Sequence, residues 1–403
     1  MIDFTLSETQ DMVKQMLHWF AENEVRPLAL EADRTHQIPL EFLQKVKDLG
    51  ISMGGLPKEL GGEGEGMGAS KDKGGIKQSN RIAVIGAEEL AWGDPALILT
   101  LPGPGLGGPP VAFMGTPEQK AKYLGIFKAK EPKWGAYGLT EPGAGSDVAG
   151  IRTSARKDGD HYVINGTKCF ITNGARASWV VVFATVDPSK GRQGHRAFVV
   201  EKGTPGFRVG KIEEKMGLRA SETAELVFED CRVHKDVLLG GEDFYAGKEG
   251  FMGAMKTFDT TRPMVAAMAI GIARAAYEKA TAFAKENFEL GRPIARYRHV
   301  EELISKSKRR IEAARLLTWR AAWMADAGIA NAKEASMSKA YAARTAVDIL
   351  ADLVQVMGAA GVVNDHFVEK WFRDIKVYDI FEGTGEIQRI VISKRLISGL
   401  KNF

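Results

Sequence analysis

The chain of 403 residues is 44% hydrophobic and 26% charged, which predicts two or three packed units and argues against wholesale disorder. Its 55 Lys and Arg residues nearly balance 51 Asp and Glu, and the net charge of +4 is spread along the chain without a basic block. Because a protein that follows a phosphate backbone concentrates its cations, we expect no nucleic-acid partner.

Cysteine usage and the amino terminus predict a location. Two cysteines, Cys169 and Cys231, are too few for a disulfide framework or a multi-cysteine metal site, so we expect a reducing compartment and no metal. The opening segment MIDFTLSETQDMVK lacks a basic and then apolar signal pattern, and no apolar run reaches the roughly 20 residues that a membrane span needs. These observations predict a cytoplasmic protein without a membrane span.

The first part of the chain, residues 1–133, is predicted to be a helical domain. Ser7 and Gln10 form the pattern of a capping box before an amphipathic helix, and a second helix is expected to begin at Pro39. The Gly-rich and charged stretch 54–80, which includes an insertion at 63–80, is typical of a surface loop, and the segment IAVIGAEELAW after it is typical of a helix.

A β domain is predicted over residues 134–243. Short runs rich in Val and Phe alternate there with turn residues, as expected of an antiparallel barrel or sandwich. Asn165 and Gly166 lie between two such runs, which is the sequence pattern of a hairpin turn. After Gly250 the helical period returns, so residues 244–403 are predicted to form a helical bundle and the whole chain an α+β protein.

Gly103, Gly105 and Gly108 match the letters of a dinucleotide-binding fingerprint. We reject that interpretation, because the fingerprint opens a helix within alternating strands and helices, whereas Pro109 and Pro110 follow immediately here. A tight loop is the simpler prediction.

Four polar clusters each have a structural and a functional interpretation. Residues 137–150 combine hydroxyls with a Gly-rich turn. This segment is either a binding site for a cofactor edge or a phosphate, or simply a solvent-exposed turn. Residues 169–178 repeat this pattern or end a strand in an Asn-Gly turn. FDTTRP at 258–263 places an Asp and an Arg on one helix face, where they bind a ligand or each other. Glu382, among apolar residues and glycines, is either an exposed turn residue or a buried base with a raised pKa.

Taken together, these clusters and their spacing resemble the acyl-CoA dehydrogenase family from one end of the chain to the other. The motifs that carry the resemblance are LTEPGAGSD at 139–147, FITNG at 170–174, KMGLRASET at 215–223, FDTTRP at 258–263, QVMGAAG at 355–361 and EKWFRDIKVYDIFEGTGEIQR at 369–389. The resemblance implies an N-terminal helical domain, a middle β domain and a C-terminal four-helix bundle. It also implies bound FAD and a homotetramer or dimer of dimers.

The reaction that this resemblance implies is oxidation of an acyl-CoA thioester to the trans-2-enoyl-CoA. Glu382 would abstract the α-proton, flavin N5 would accept the β-hydride, and an electron-transfer flavoprotein would take the electrons. The backbone N–H of Glu382 would polarise the thioester carbonyl. Some members of the family carry the base at the position of Thr261, and threonine cannot serve as that base.

The resemblance also assigns binding residues. FAD contacts fall on Tyr137, Leu139, Thr140, Gly145, Ser146, Phe170, Thr172, Gln355, Ala359, Thr384 and Glu386. The four C-terminal residues, Gln355, Ala359, Thr384 and Glu386, are expected to reach FAD partly across a subunit boundary. Substrate contacts fall on Ser146, Asp259, Arg262, Ile98, Pro102, Phe381 and Gly383.

The chain departs from the family pattern at three of its cofactor positions. Phe170 stands where the family usually has Trp, and Glu386 stands where a neutral Gln is common. Asn287 stands where an Arg is expected near the FAD of a neighbouring subunit, and Arg292 is its nearest substitute.

The acyl pocket of the family is floored by the segment that follows the EEL motif at 88–90. Ile98 and Pro102 occupy floor positions, and Gly103 and Gly105 add no side chains. This combination predicts room for a medium, branched, cyclic or aryl acyl group.

The same segment narrows the substrate class. It contains no Arg between Trp92 and Met114, which argues against a dicarboxylic acyl group, because a distal carboxylate needs a cation. Asp94 lies near the pocket, and we predict that it caps a helix rather than accepts a proton from the substrate.

Two other functions stay open. An acyl-CoA oxidase would pass electrons to oxygen, and such oxidases commonly have a further helical domain, whereas this chain ends soon after Glu382. A non-catalytic homologue would bind flavin or acyl-CoA without reaction, but a binding protein gains nothing from a buried base. We therefore expect a dehydrogenase.

Overall fold

The computed structural model describes residues 4–51, 75–246 and 258–399. The first helices are α1 (Glu8–Phe20), α2 (Ala29–Thr35), α3 (Leu40–Asp48), α4 (Ser79–Gly93), α5 (Pro95–Leu99), α6 (Gly108–Met114) and α7 (Pro117–Gly125). The capping box of α1 is confirmed, because Ser7 and Gln10 exchange both of its hydrogen bonds. Residues 54–74 of the predicted surface loop lie outside the described residues, and its last two residues, Ser79 and Asn80, belong to α4 instead.

The middle of the chain forms a seven-stranded sheet. Its strands are β1 (Gly135–Gly138), β2 (Ser154–Asp158), β3 (His161–Thr172), β4 (Trp179–Thr185), β5 (His195–Glu201), β6 (Phe207–Ile212) and β7 (Thr223–His234). Their order is β1-β4-β2-β3-β7-β6, with β5 also paired to β4. Most pairs are antiparallel, but β1 and the end of β2 run parallel to β4, so the sheet is mixed rather than purely antiparallel.

The predicted hairpin turn at Asn165 and Gly166 is wrong. Strand β3 runs straight through this dipeptide, and the chain turns instead at Gly159 and Asp160, between β2 and β3. Gly166 marks a shift in the register between β3 and β7, and a Cβ on it would lie 2.5 Å from the Thr153 Oγ1. The glycine therefore serves a bulge and a close backbone approach.

Helices α6 and α7 pack on one face of the sheet. Val111, Leu124 and Phe127 form an apolar cluster with Trp179 and Val181 of β4. The G-x-G-x-x-G segment that leads into α6 is more helical than the predicted tight loop, since it comprises a 3-10 turn at Gly105–Gly107 and the start of α6. The two prolines stand in the first turn of α6, where a missing backbone N–H costs no helical hydrogen bond.

The rest of the chain is a helical bundle. Its elements are α8 (Gly241–Ala246), α9 (Phe258–Glu286), the hairpin strands β8 (Phe288–Glu289) and β9 (Arg292–Pro293), α10 (Arg298–Asp326), α11 (Ala332–Met357), α12 (Val368–Ile375) and α13 (Gly385–Gly399). One apolar core joins this bundle to the N-terminal helices, with Phe42 and Val84 in the same cluster as Ile272, Leu350 and Trp371. The two helical parts of the chain are therefore packed as one body around the edge of the sheet.

Helix α11 contributes to the one membrane-span candidate among the described residues. The stretch 332–362 is long and apolar enough to cross a membrane by length and composition, whereas the sequence was expected to contain no such run. In this fold α11 buries Ala343, Leu350 and Leu353 in the shared helical core. A helix at the centre of a packed core carries the same composition signal as a membrane span.

Candidate active site

Glu382 lies in the loop between the 3-10 turn Lys376–Asp379 and helix α13. Its backbone φ is +56° and that of Gly383 is +86°, so two consecutive residues adopt the left-handed region. For a residue with a Cβ this conformation costs on the order of 1 kcal/mol. Such strain persists only where neighbouring contacts hold the backbone in place.

Two side chains from two helices provide those contacts. Lys339 of α11 donates from Nζ to the Gly383 carbonyl oxygen at 2.7 Å. Gln388 of α13 donates from Nε2 to the carbonyl oxygens of Glu382, at 3.2 Å, and Gly383, at 3.0 Å. Because Lys339 and Gln388 are both fully buried, the peptide that follows Glu382 is held from the protein interior.

The Glu382 carboxylate points toward the start of α9. The Thr261 hydroxyl donates to Glu382 Oε2 at 3.0 Å. Burial raises the pKa of the Glu382 carboxyl above its usual range, and the Thr261 hydrogen bond and the charges of Arg262 and Lys339 limit the rise. Of the two sequence interpretations, the structure therefore favours the desolvated base over the exposed turn residue.

Tyr137 on β1 brings the sheet to the same site. Burial raises the pKa of the Tyr137 phenol well above its usual value, and the Glu382 charge raises it further. The Tyr137 ring also packs against Phe183, with ring centroids 5.1 Å apart. Glu382 therefore lies where the helical bundle and the edge strand of the sheet meet.

A buried ion pair supports the turn that follows β1. Lys168 donates to Glu141 Oε1 at 2.7 Å and to the Leu139 carbonyl at 3.1 Å. Glu141 also accepts the backbone N–H groups of Arg152 and Thr153. Burial lowers the pKa of Lys168 to about 8, although Glu141 raises it. This network fixes Leu139 and leaves Gly145 and Ser146 exposed farther along the turn.

A bulge in β3 aims an aromatic ring outward beside this turn. The pairing of β3 with β7 shifts between Lys168 and Ile171, and Phe170 has a φ of +57° there. As a result the Phe170 side chain is 64% exposed, while Thr172 two residues later is half-buried. Asn173 Oδ1 is buried and accepts no hydrogen bond within the described part of the chain.

These features fit the FAD that the sequence resemblance implies. An aromatic ring held outward by a bulge offers a packing surface for a planar ring system. The hydroxyls of Thr140, Ser146 and Thr172 and the unsatisfied Asn173 oxygen are hydrogen-bonding groups of the kind that a flavin edge and a phosphate use. We conclude that this surface is suited to the cofactor.

The four C-terminal FAD candidates fall in two places. Thr384 and Glu386 follow Glu382 directly, with the Thr384 hydroxyl accepting the Ile387 N–H at 3.3 Å and Glu386 exposed in the first turn of α13. Gln355 lies 16 residues along α11 from Lys339, which is about 24 Å at 1.5 Å per residue. One chain therefore does not bring Gln355 and the exposed Ala359 to the Glu382 loop.

The predicted substrate residues are partly assembled. Arg262 is 8% exposed and close enough to Glu382 to influence its pKa. Phe381 packs on the helical core and against Tyr378, with centroids 4.9 Å apart. Ser146 is exposed, and the Asp259 side chain lies outside the described residues.

The predicted pocket floor requires a correction. Ile98 and Pro102 are buried, as expected of a floor. Gly103, however, exchanges backbone hydrogen bonds with Lys133 and Gly135, and a Cβ on Gly105 would lie 3.2 Å from the Gly135 oxygen. These glycines let the loop pack closely on β1, so they are no evidence for extra pocket volume.

Asp94 caps a helix as predicted. Its Oδ1 accepts the Leu97 N–H at 2.9 Å at the start of α5, and its other oxygen pairs with the fully buried Lys370. Lys370 also binds Asp374 at 2.6 Å, and Asp374 accepts the Leu218 N–H. Asp94 is 1% exposed, so this carboxylate is occupied by the protein itself.

The hairpin β8–β9 contains the third departure from the family pattern. Asn287 donates its backbone and side-chain N–H groups to the Phe283 carbonyl, which extends the end of α9. The Arg292 guanidinium lies over the Tyr297 ring, 3.8 Å from its centroid. Arg292 is thus engaged within its own chain.

Sequence reasoning missed several residues of this site. The sequence resemblance excludes Thr261 as a base but does not predict that its hydroxyl donates to Glu382. Lys339 and Gln388 were not considered. Lys339 has a detectable signal in the sequence, because it is a single cation among the Ala, Ser and Met residues of the segment 335–340.

Comparison with known proteins follows the same three parts of the chain. Models of the acyl-CoA dehydrogenase N-terminal, middle and C-terminal domains match residues 7–129, 136–231 and 248–397. The chain belongs to the acyl-CoA dehydrogenase family.

Full-length relatives agree with this assignment. The chain is 42% identical to the short-chain specific acyl-CoA dehydrogenase of Clostridium acetobutylicum, over 98% of this chain and 100% of the relative. It is 40% identical to an acryloyl-CoA reductase (NADH) of Anaerotignum propionicum, over 98% of this chain and 96% of the relative. Among solved structures, the fold matches a chain from a study of the electron transferring flavoprotein of Acidaminococcus fermentans and flavin-based electron bifurcation. The two chains are 39% identical with a TM-score of 0.88, and the match covers 98% of this chain and 100% of the other.

These similarities confirm the predicted fold class and enzyme class. The protein is an oxidoreductase of the acyl-CoA dehydrogenase type, with N-terminal helical, middle β and C-terminal helical domains.

Proposed function

We propose that the protein interconverts an acyl-CoA thioester and its trans-2-enoyl-CoA, with Glu382 as the group that removes or returns the α-proton. The observation that carries this proposal is the desolvated Glu382 carboxylate, bound by the Thr261 hydroxyl at 3.0 Å. Its backbone is clamped by Lys339 and Gln388.

The α-proton of a thioester is a weak acid, and its removal needs a base that is stronger than an exposed carboxylate. Burial supplies this strength, because it raises the pKa of Glu382. Within the described residues the backbone N–H of Glu382 donates to no protein acceptor. This N–H supports the proposed polarisation of the thioester carbonyl, where negative charge develops.

Bound FAD would supply the redox chemistry by taking up or returning the β-hydride. Tyr137, Leu139, Thr140, Gly145, Ser146, Phe170 and Thr172 are the residues of this chain that would hold it near Glu382. Packing of the sheet against the bundle partly buries the carboxylate, which weakens its solvation and raises its pKa.

The direction of the reaction, the electron partner and the assembly belong to the same proposal. One relative is named as a dehydrogenase and another as a reductase of acryloyl-CoA, and the same proton transfer at Glu382 serves both directions. An electron-transfer flavoprotein is the proposed electron partner, supported by a structural neighbour from a study of such a flavoprotein. We further propose the homotetramer or dimer of dimers that the family resemblance implies. The position of Gln355 near the end of α11 and of Ala359 in the 3-10 turn after it, far from the Glu382 loop, supports contacts with the cofactor of a neighbouring subunit.

The acyl group is proposed to be monocarboxylic and apolar. The buried floor residues Ile98 and Pro102 and the absence of Arg from 93–113 support this class. The relatives' names add short-chain acyl groups and acryloyl to the medium, branched, cyclic and aryl groups that the sequence predicts.

Anaerobic flavin bleaching tests the proposal. The FAD-loaded protein is mixed with a panel of straight, branched, cyclic, aryl and dicarboxylic acyl-CoAs, and flavin absorbance is followed. We expect rapid bleaching by at least one monocarboxylic acyl-CoA and its loss in Glu382→Gln, which keeps the size of the side chain. The exposed Glu301→Gln is the matched control and should bleach normally. Full bleaching by Glu382→Gln refutes the assignment of the base, and a colourless protein that binds acyl-CoA without reaction favours the non-catalytic alternative.

A further inference from the structure

Lys339 is a fully buried cation beneath the Glu382 loop. It lies in the middle of α11, with Ser336, Ser338 and Ala342 also buried, and its side chain has no solvent-exposed area. A lysine ammonium is rarely buried without a specific partner, because desolvation is costly. Its donor bond at 2.7 Å goes to the carbonyl of Gly383, the residue next to the proposed base.

The contact lies at the point of greatest backbone constraint. Glu382 and Gly383 both have positive φ, and Gln388 already donates to both of their carbonyl oxygens. Lys339 adds a second donor to the Gly383 oxygen, so both lone pairs of that oxygen are used. The orientation of this peptide fixes where the Glu382 side chain can reach.

The charges around Lys339 couple it to the carboxylate. Asp379, Glu382 and Glu386 each raise the pKa of Lys339, and Arg262 lowers it. Burial is the dominant influence and lowers the pKa of Lys339 to about 8. Burial raises the pKa of Glu382, and the Thr261 hydroxyl and the charges of Arg262 and Lys339 in turn lower it. The Tyr137 phenol is also close enough for the Glu382 charge to act on it.

We propose that Lys339 is a positioning residue for Glu382, which clamps the Gly383 carbonyl and, through its buried charge, keeps the Glu382 carboxylate ionised at the working pH. This inference rests on the proposed function of Glu382 as the base. In the protonated state Lys339 favours the carboxylate, and its removal leaves Glu382 with a stronger preference for the protonated form. The acid limb of the pH profile should therefore move to higher pH when the charge is lost.

Three substitutions separate the charge from the hydrogen bond. Lys339→Met removes both, Lys339→Gln keeps an N–H donor without the charge, and Lys339→Arg keeps both. Each FAD-loaded variant is assayed by anaerobic flavin bleaching from acid to alkaline pH. We expect the acid limb to rise by about one pH unit in the Met and Gln variants and to stay in place in the Arg variant. The partly exposed Lys306→Met on α10 is the matched control and should leave the profile unchanged.

A second readout does not depend on turnover. The carboxyl C=O infrared band of protonated Glu382, identified by its absence in Glu382→Gln, is titrated in the FAD-loaded, substrate-free protein. Its midpoint should rise with the same substitutions that move the acid limb. If Lys339→Met loses FAD or fails to fold, Lys339→Gln carries the test.

The outcomes distinguish the two proposals. An active Glu382→Gln variant refutes the proposed function itself. An inactive Glu382→Gln variant, together with neutral Lys339 variants whose acid limb and carboxyl midpoint do not move, refutes the inference about Lys339 alone. Loss of thermal stability in these variants without a pH shift would assign Lys339 a purely structural role and would also overturn it.

Discussion

Replacement of Thr261 by valine removes one hydrogen bond from Glu382 and keeps the shape of the side chain. The Thr261 hydroxyl donates to Glu382 Oε2 at 3.0 Å, and this bond favours the ionised carboxylate. A hydrogen bond to a charged group contributes about 1.5–3 kcal/mol, and the partial exposure of Glu382 argues for the lower end. Because one pKa unit corresponds to about 1.4 kcal/mol, Thr261→Val should raise the pKa of Glu382 by about one unit.

The sign of the effect on rate follows from the role of the carboxylate. In the proposed reaction only ionised Glu382 removes a proton, so a higher pKa reduces the active fraction at acid pH and leaves it unchanged at alkaline pH. Well below the midpoint, flavin bleaching by the best acyl-CoA should slow by about tenfold in Thr261→Val. At alkaline pH the rates of variant and parent should converge.

The measurement is the pH dependence of anaerobic bleaching at saturating acyl-CoA. Thr281→Val on the same helix is the matched control, because the buried Thr281 hydroxyl has no hydrogen-bond partner within the described residues. A Thr261→Val profile that overlays the parent profile at every pH would show that the hydroxyl does not influence the base. A uniform loss of rate at all pH values would indicate misplacement of Glu382 instead.

Three further predictions concern stability and cofactor binding. Lys370→Met leaves Asp94 and Asp374 buried without their cation and should lower the free energy of unfolding by about 3–5 kcal/mol. Lys306→Met, in a partly exposed pair, should lower it by less than about 1 kcal/mol, and equal losses would contradict this reasoning. Gly166→Ala should lower the melting temperature more than Gly159→Ala, because of these two sites only position 166 would bring the new Cβ against other atoms. The reverse order would refute the bulge argument. Phe170→Ala should weaken FAD binding in a titration of the apoprotein. It should barely change the melting temperature, since Phe170 is 64% exposed, and an unchanged affinity for FAD would remove Phe170 from the cofactor site.

Features of the fold that depend on local interactions could be predicted from sequence. The capping box at Ser7 and the cap at Asp94 each join residues three apart, so their letters contain the whole interaction. The turn predicted at Asn165 failed for the opposite reason. The chain continues as a strand there because Gly166 packs closely against Thr153, a tertiary contact that the local sequence pattern does not contain.

The candidate site divides in the same way. Glu382 was identified through a resemblance of motifs, and its burial in the structure agrees with the role assigned to it. The residues that tune it are distant in sequence: Thr261 is 121 positions from Glu382, and Lys339 is 44 positions from Gly383. Sequence spacing carries no information on such contacts, because packing of α9 and α11 against the loop creates them.

The single core shared by the first and last helical parts restricts how this protein can be recombined. Phe42 and Val84 pack in the same cluster as Leu350 and Trp371, and the Asp94–Lys370 pair crosses the same boundary. A chimera that took its N-terminal segment from one relative and its bundle from another would join two unmatched halves of one interior. Gene exchange and engineering in this protein should therefore preserve these two segments together.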